Sequence, residues 1–248
     1  MSGHSKWHSI KHKKGLADAK RGQAFTKLIR ELTTAARNGG GDPNANPRLR
    51  LAMEKAREAN MPKDNVEKAI KRGTGELEGV TYEEVTYEAY GPGGVAVIIE
   101  ALTDNKNRTT AEIRNILSKK GGNMAGAGAT AWIFHKKGYI LVEKSAADEE
   151  RLMTIALDAG AEDLRSDGSQ YEITTDPKVF DTVKNALVTA KVPVQSAEIT
   201  MLPTSTVRVE GADAKGCLAL VETLEEHEDV QHVYANFDVP DEILAESA

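Results

Sequence analysis

Residues 139–202 read YILVEKSAADEERLMTIALDAGAEDLRSDGSQYEITTDPKVFDTVKNALVTAKVPVQSAEITML, and the order of patterns in this stretch decides the fold. Tyr139–Val142 predicts a short apolar strand, and Ala147–Ala159 a helix that turns Leu152, Ile155 and Ala156 to one side. Asp163–Arg165 reads as a short strand, Asp167-Gly168 as a turn and Tyr171–Thr174 as a further strand. Asp176-Pro177 then starts a helix carrying Phe180, Val183 and Leu187, and Ser196–Leu202 closes the run as a strand. The order β-α-β-β-α-β within about 65 residues is the ferredoxin-like split unit.

On the C-terminal side, Thr206–Val209 predicts a strand and Asp213–Glu226 a helix with Cys217, Leu220, Val221 and Leu224 on its apolar face; Val230–Phe237 predicts a final strand. These elements have no sheet of their own. Upstream, Val85, Tyr87 and Ala89 alternate with Thr86 and Glu88, and Gly91-Pro92-Gly93-Gly94 turns the chain into the apolar strand Val95–Leu102. A helix from about Asn107 to Lys120 places Ile113, Ile116 and Leu117 on one face, and Ala129–Phe134 reads as another strand. If the C-terminal elements pair with the strands at 85–102 and 129–134, they complete a second α+β unit, and 138–203 becomes an insertion. The expected fold is therefore α+β, with an N-terminal three-helix domain followed by two ferredoxin-like α+β domains, one inserted in the other. The expected boundaries are 1–79 for the helical domain, 80–137 and 204–248 for the discontinuous domain, and 138–203 for the acidic insertion.

The three helices are legible from punctuation. From Leu16 to about Asn38, Phe25, Leu28, Ile29, Leu32 and Ala36 fall in one apolar stripe, with Lys20, Lys27, Arg30 and Arg37 on the opposite side and Arg21 near the apolar edge. Gly39-Gly40-Gly41 ends this helix. Asn46 caps and Pro47 opens a second helix to Ala59, with Leu49, Ala52, Met53 and Ala56 inward and Arg48, Arg50, Lys55 and Arg57 around its outside. Asn60-Met61-Pro62 breaks it, and a third helix buries Val66 and Ile70 before Gly73 and the linker Gly73–Gly79. Ahead of all three lies a tail, Gly3–Gly15, that carries Lys6, Lys11, Lys13, Lys14, His4, His8, His12 and Trp7 without one acidic residue.

Charge separates the chain into two parts. The 248 residues carry a net charge of -6, yet residues 1–72 hold 17 Lys and Arg against 7 Asp and Glu, a net of +10, which leaves -16 for the other 176. A surface that seeks a polyanion is thus joined to one that phosphate repels, and a uniformly basic nucleic-acid coat is excluded. Cys217 is the only cysteine, which excludes an intrachain disulfide and a cysteine-based zinc site. No apolar run approaches the roughly 18 residues of a membrane span, and the N-terminus lacks the apolar core of a secretory signal. It is rich in Lys and His rather than Arg, unlike a mitochondrial transit peptide, so the expected location is cytoplasmic, with no membrane partner.

Several motifs together resemble the YebC family. They are Gly3-His4-Ser5-Lys6-Trp7, Phe25-Thr26-Lys27-Leu28-Ile29-Arg30-Glu31-Leu32, Gly39-Gly40-Gly41-Asp42-Pro43, Asn46-Pro47-Arg48-Leu49-Arg50, Tyr90-Gly91-Pro92-Gly93-Gly94, Thr103-Asp104-Asn105-Lys106-Asn107-Arg108-Thr109 and Asn236-Phe237-Asp238. The resemblance extends over essentially the whole chain. It implies a helical N-terminal domain and two α+β domains. It also implies control of gene expression through nucleic acid, since members are described as DNA-binding transcriptional regulators and the mitochondrial ones as activators of translation.

The residues themselves point to phosphate contact rather than to catalysis. His4, His8 and His12 recur at i, i+4 and i+8, but without acidic neighbours to orient them they argue weakly for a metal. Gly126-Ala127-Gly128-Ala129-Thr130-Ala131 fits a dinucleotide fingerprint loosely, but it follows a helix and opens a strand, so it reads as a flexible turn. Gly91-Pro92-Gly93-Gly94 lacks the Lys-Ser/Thr of a phosphate loop. Asp104, Asn105 and Arg108 read as a polar site or as a helix cap, and Cys217 as a buried structural thiol. Trp7 either stacks on a base or anchors the tail. No nucleophile, base and orienting group form a recognisable set, so no enzyme activity, cofactor, metal or small-molecule substrate is expected. The expected nucleic-acid contacts are Lys6, Trp7, Lys11, Lys13, Lys14, Lys20, Lys27, Arg30, Arg37, Arg48 and Arg50. DNA is the first expected partner, and RNA or the ribosome the alternative.

Overall fold

The computed structural model describes residues 18–168, 170–240 and 242–243. Three helices open it: α1 (Asp18–Gly39), α2 (Pro47–Glu58) and α3 (Lys63–Thr74). Asn46 caps α2, its side-chain oxygen accepting the Leu49 N–H at 3.0 Å while its amide donates to the Ala35 and Gly40 carbonyls at 2.8 Å each. One buried side chain thereby starts α2 and satisfies carbonyls at the end of α1. Leu32, Ala35, Ala36, Leu49, Ala52, Ala56, Met61 and Ala69 form the helical core. Its small residues let α1 and α3 approach closely: a Cβ on Gly73 would lie 2.4 Å from the Thr33 carbonyl oxygen and 2.7 Å from Ala36 Cβ.

A second core lies under the sheet β3-β1-β2-β9, made of β1 (Glu83–Tyr90), β2 (Ala96–Thr103), β3 (Asn123–Met124) and β9 (Val230–Ala235), all antiparallel. The helices α4 (Lys106–Lys119) and α7 (Gly211–Glu225) bury Ile113, Leu117, Cys217, Leu220, Val221 and Leu224 against Val97, Ile99, Val230 and Val233. The short strands β8 (Val207–Arg208) and β10 (Phe237–Asp238) pair in parallel beside it.

The third core belongs to β4 (Phe134–Glu143), α5 (Glu149–Asp158), β5 (Ala161–Asp167), β6 (Gln170–Thr175), α6 (Phe180–Thr189) and β7 (Val194–Pro203). The spatial order β5-β6-β4-β7, antiparallel throughout, is that of a split β-α-β-β-α-β unit. Ala96, Ile98, Ile133 and Phe134, with Met201 and Tyr234, join the two sheets.

One expected strand is absent. Residues 131–133 form a single 3-10 turn rather than a strand, and Phe134 instead begins β4, which runs ten residues and pairs with β6 and β7. The reason is a side chain distant in sequence: Glu88 takes the N–H groups of Gly128, Thr130 and Ala131, so those donors cannot join a ladder. The edge of the first sheet is filled by the two-residue β3.

Replacing Gly73 by Ala is expected to lower stability by about 1–2 kcal/mol net, since overpacking against a backbone oxygen, at about 2–3 kcal/mol, outweighs the roughly 1 kcal/mol of helix propensity gained. Urea unfolding of the variant at neutral pH measures this.

Candidate nucleic-acid interface

The side of α1 opposite the helical core is not all open to solvent. Arg30 is 8% exposed, and its guanidinium donates to the Asp229 carboxylate and, at 3.1 Å, to the Leu102 carbonyl at the end of β2. It lies 3.7 Å from Glu228 and 5.4 Å from the centre of the Tyr82 ring. Lys27 donates to the Glu225 carbonyl at the C-terminal end of α7, where the helix dipole favours a cation. Arg48 forms a fork on Glu31 at 2.7 and 3.0 Å and reaches Glu84 at 2.7 Å. The hydrogen bond to Glu31, opposed by burial and joined by Glu84, holds its guanidinium more firmly protonated than an ordinary arginine.

These placements correct the expectation of one exposed ridge. Lys27, Arg30 and Arg48 fasten the helical part to the acidic remainder, because its carboxylates and element-end carbonyls lie directly against α1 and α2. Arg37 and Arg50 are exposed, Arg50 donating only to the Pro43 carbonyl at 3.2 Å. Lys55, Arg57, Lys68, Lys71 and Arg72 are exposed as well, and none of them has an ion-pair partner among the described residues. Lys20 lies in α1, and its side chain is outside the described residues. Lys6, Trp7, Lys11, Lys13, Lys14 and the three tail histidines also lie outside them.

Asp229 is the centre of the junction. Its carboxylate accepts from Arg30, from Thr109 Oγ1 and, at 2.9 Å, from Arg108, while its carbonyl accepts the Leu102 N–H at 2.8 Å. Its own N–H donates to His227 Nδ1 at 3.1 Å, and His227 Nε2 lies 2.9 Å from Glu112. Burial pushes the Asp229 carboxyl up, but the bonds from Thr109, Arg30 and Arg108 outweigh it and hold the group down at about 2. Glu112, His227 and Asp229 bring one ligand atom each within 4.8 Å of one another, but a cation there would have to displace two guanidinium groups. An open cleft of about 600 Å³ beside this network is lined by Arg30, Arg108, Glu112, His227 and Asp229. It offers paired charges rather than an unsatisfied reactive group.

Other sequence-singled residues have structural roles. Asn105 caps α4, accepting the Arg108 N–H at 3.1 Å, and Arg108 is 2.8 Å from Asp104. Gly91-Pro92-Gly93-Gly94 is the hairpin turn, closed by Gly91 N–H on the Val95 carbonyl at 2.8 Å. Cys217 is 1% exposed with its thiol pushed up to about 12 by burial, then by Asp213, which makes it unreactive. The sequence reading missed Asp229 and Glu88, which organise loops through bonds to residues distant in the chain. It also passed over Trp132, 68% exposed, although a tryptophan beside a Gly/Ala-rich turn is a usable signal.

Taken together, the fold defines an α+β protein in which a basic helical part is ion-paired onto the first of two acidic sheet-containing parts. The chain belongs to the TACO1/YebC family. Residues 5–76 match the family described as "TACO1/YebC protein N-terminal domain" and residues 82–237 the one described as "TACO1/YebC second and third domain". It is 58% identical to a "probable transcriptional regulatory protein" of Desulfatibacillum aliphaticivorans, over 99% of this chain and all of that one. A protein of the same description from Geobacter sulfurreducens is 57% identical over 98% of each chain. The crystal structure of a conserved hypothetical protein from Aquifex aeolicus is similar with a TM-score of 0.80 and 48% identity, over 93% of this chain and 96% of that one. No helix among the described residues is long and apolar enough to cross a membrane.

Asp229→Asn is expected to destabilise the protein by about 3 kcal/mol near neutral pH, since it leaves buried Arg30 with only the exposed Glu228, 3.7 Å away, as counter-charge. The Asp229 carboxyl sits at about 2 when folded against roughly 3.9 when unfolded. The contribution it makes by staying ionised is therefore complete above about pH 4 and lost as pH falls towards 2. Urea midpoints of the two proteins should accordingly converge through that interval.

Proposed function

We propose that this chain is a non-enzymatic regulator of gene expression that grips the phosphate backbone of nucleic acid with residues 1–79. The units at 80–137 with 204–248, and at 138–203, face away from the polyanion. The observation that carries this reading is the partition of charge, +10 before residue 73 and -16 after it. It is supported by exposed cations on α1–α3 that have no carboxylate partner among the described residues: Arg37, Lys55, Arg57, Lys68, Lys71 and Arg72. Lys6, Lys11, Lys13, Lys14, Lys20, Arg37 and Arg50 are the phosphate contacts in this reading, with Trp7 stacking on bases. Lys27, Arg30 and Arg48 set the angle at which that surface is held. DNA is the first target in this reading, which the relatives' description as probable transcriptional regulatory proteins supports.

A second reading, RNA or the ribosome, is favoured by the distribution of the exposed cations. They are spread over three helices instead of being gathered at the N-terminal end of one, as base readout in a major groove requires. A tail rich in Lys and His with a tryptophan suits irregular RNA, and acidic units would leave only the N-terminal part turned towards phosphate.

If about six cations contact phosphate, a plot of log K against log salt should have a slope near -5 on duplex DNA and near -4 on single strands. Arg37→Gln with Arg50→Gln should reduce that slope by about 2, whereas Arg30→Gln should lower stability and leave the slope unchanged. A slope near zero for the intact protein removes the backbone mechanism. Target class follows from gradient sedimentation of lysate at modest salt, with and without nuclease, comparing the intact protein with a variant lacking residues 1–14. Tail-dependent, nuclease-sensitive migration with ribosomes supports RNA, and absence from those fractions together with footprints at defined promoters supports DNA.

A further inference from the structure

We infer that Trp132, on the loop between β3 and β4, is a second nucleic-acid contact, a stacking platform for an unpaired base; the inference rests on the nucleic-acid reading above. The first observation is exposure. Trp132 is 68% exposed, in a chain whose large apolar side chains are otherwise mostly covered. A stray exposed aromatic on a loose loop would mean little, but this one is held. Its indole N–H donates to the Ala129 carbonyl at 3.1 Å, and the same carbonyl accepts the Tyr90 hydroxyl at 3.2 Å.

The loop itself is built around Glu88. That carboxylate accepts the N–H groups of Gly128 and Thr130 at 2.6 Å each and of Ala131 at 2.8 Å, and the Thr130 hydroxyl at 3.1 Å. Thr130 is fully buried. Burial raises the Glu88 carboxyl, and these four bonds more than offset it, holding the group below its ordinary value and so ionised. The turn expected to be flexible is thus fixed by a charged side chain from the neighbouring strand. A ring presented in one orientation loses little freedom when a base stacks on it.

Charge selects the occupant. Residues 113–142 contain Arg114, Lys119, Lys120, Lys136 and Lys137 and no Asp or Glu, an acid-free run of thirty residues inside the part of the chain that carries net -16. Lys137 is paired with Glu162, while Lys119 and Lys136 are exposed. Lys120 ends α4, and the next turn abuts the Tyr90 carbonyl, at the strand end that holds the Trp132 loop. A rigid aromatic flanked along the chain by exposed Lys119 and Lys136 fits a single-stranded nucleic acid, whose bases stack while its phosphates meet lysines.

The sequence holds two tryptophans, so in a Trp7→Phe background Trp132 is the sole reporter. In that protein, oligo(U) and oligo(dT) should quench the indole emission, and duplex of equal length should quench it less. Trp132→Ala should weaken oligo(U) binding about tenfold with the salt slope unchanged, and Trp132→Phe should restore most of the affinity. Emission unmoved at saturating oligonucleotide, or equal affinity of the Ala variant, overturns the platform even while tail-dependent, salt-sensitive binding persists. Emission changed only by self-association in sedimentation also overturns it, assigning the ring to a protein contact. Absence of salt-sensitive binding in the intact protein is the separate failure of the backbone reading.

Discussion

The buried carboxylate of Asp229 couples elements from three regions of the chain. It sits between α7 and β9, accepts from Arg108 and Thr109 on α4 and from Arg30 on α1, and its backbone continues the hydrogen bonding at the end of β2. A carboxylate this enclosed is tolerable only when it is paired and hydrogen-bonded, and three side chains supply the donors. The arrangement is mutual, because Arg30 is itself buried and would be equally costly without Asp229. Neither the helical part nor the first sheet can shift against the other without exposing one of these charges to an unmatched surrounding.

This constraint governs which cations are free. Two charges about 4 Å apart attract with about 4 kcal/mol at an effective dielectric of 20 but about 1 kcal/mol in water. Cations of α1 and α2 that meet carboxylates or helix-end carbonyls in a partly dry junction therefore stay there. Lys27, Arg30 and Arg48 are of this kind. Those that face outward, Arg37, Arg50, Lys55, Arg57, Lys68, Lys71 and Arg72, keep their capacity for an external polyanion. The opposite signs of the two parts of the chain thus do two things at once: they hold the parts together at the junction and leave an excess of positive charge on the far side.

Much of the fold was legible because periodicity and punctuation are local. The βαββαβ order of 139–202, the Asn46-Pro47 start of α2 and the Asn105 cap of α4 each follow from residues a few positions apart, and each is found. The strand expected at Ala129–Phe134 failed because Glu88, some forty residues earlier, removes its backbone donors. The exposed ridge failed for a related reason: a helical wheel shows which side of α1 is opposite its apolar stripe, not whether another part of the chain covers that side. Arg30 lies 199 residues from Asp229, and no pattern within α1 announces that partner.

The two ends of β1 serve different parts of the molecule. Glu84, near the start of β1, receives Arg48 and Asn38 from the helical part, whereas Glu88 and Tyr90 near its finish hold the loop that carries Trp132. Six residues of extended strand separate Glu84 from Tyr90, about 20 Å. The strand is paired on both sides near its end and held at its start by Arg48 and Asn38 on Glu84, so that separation is fixed by the fold.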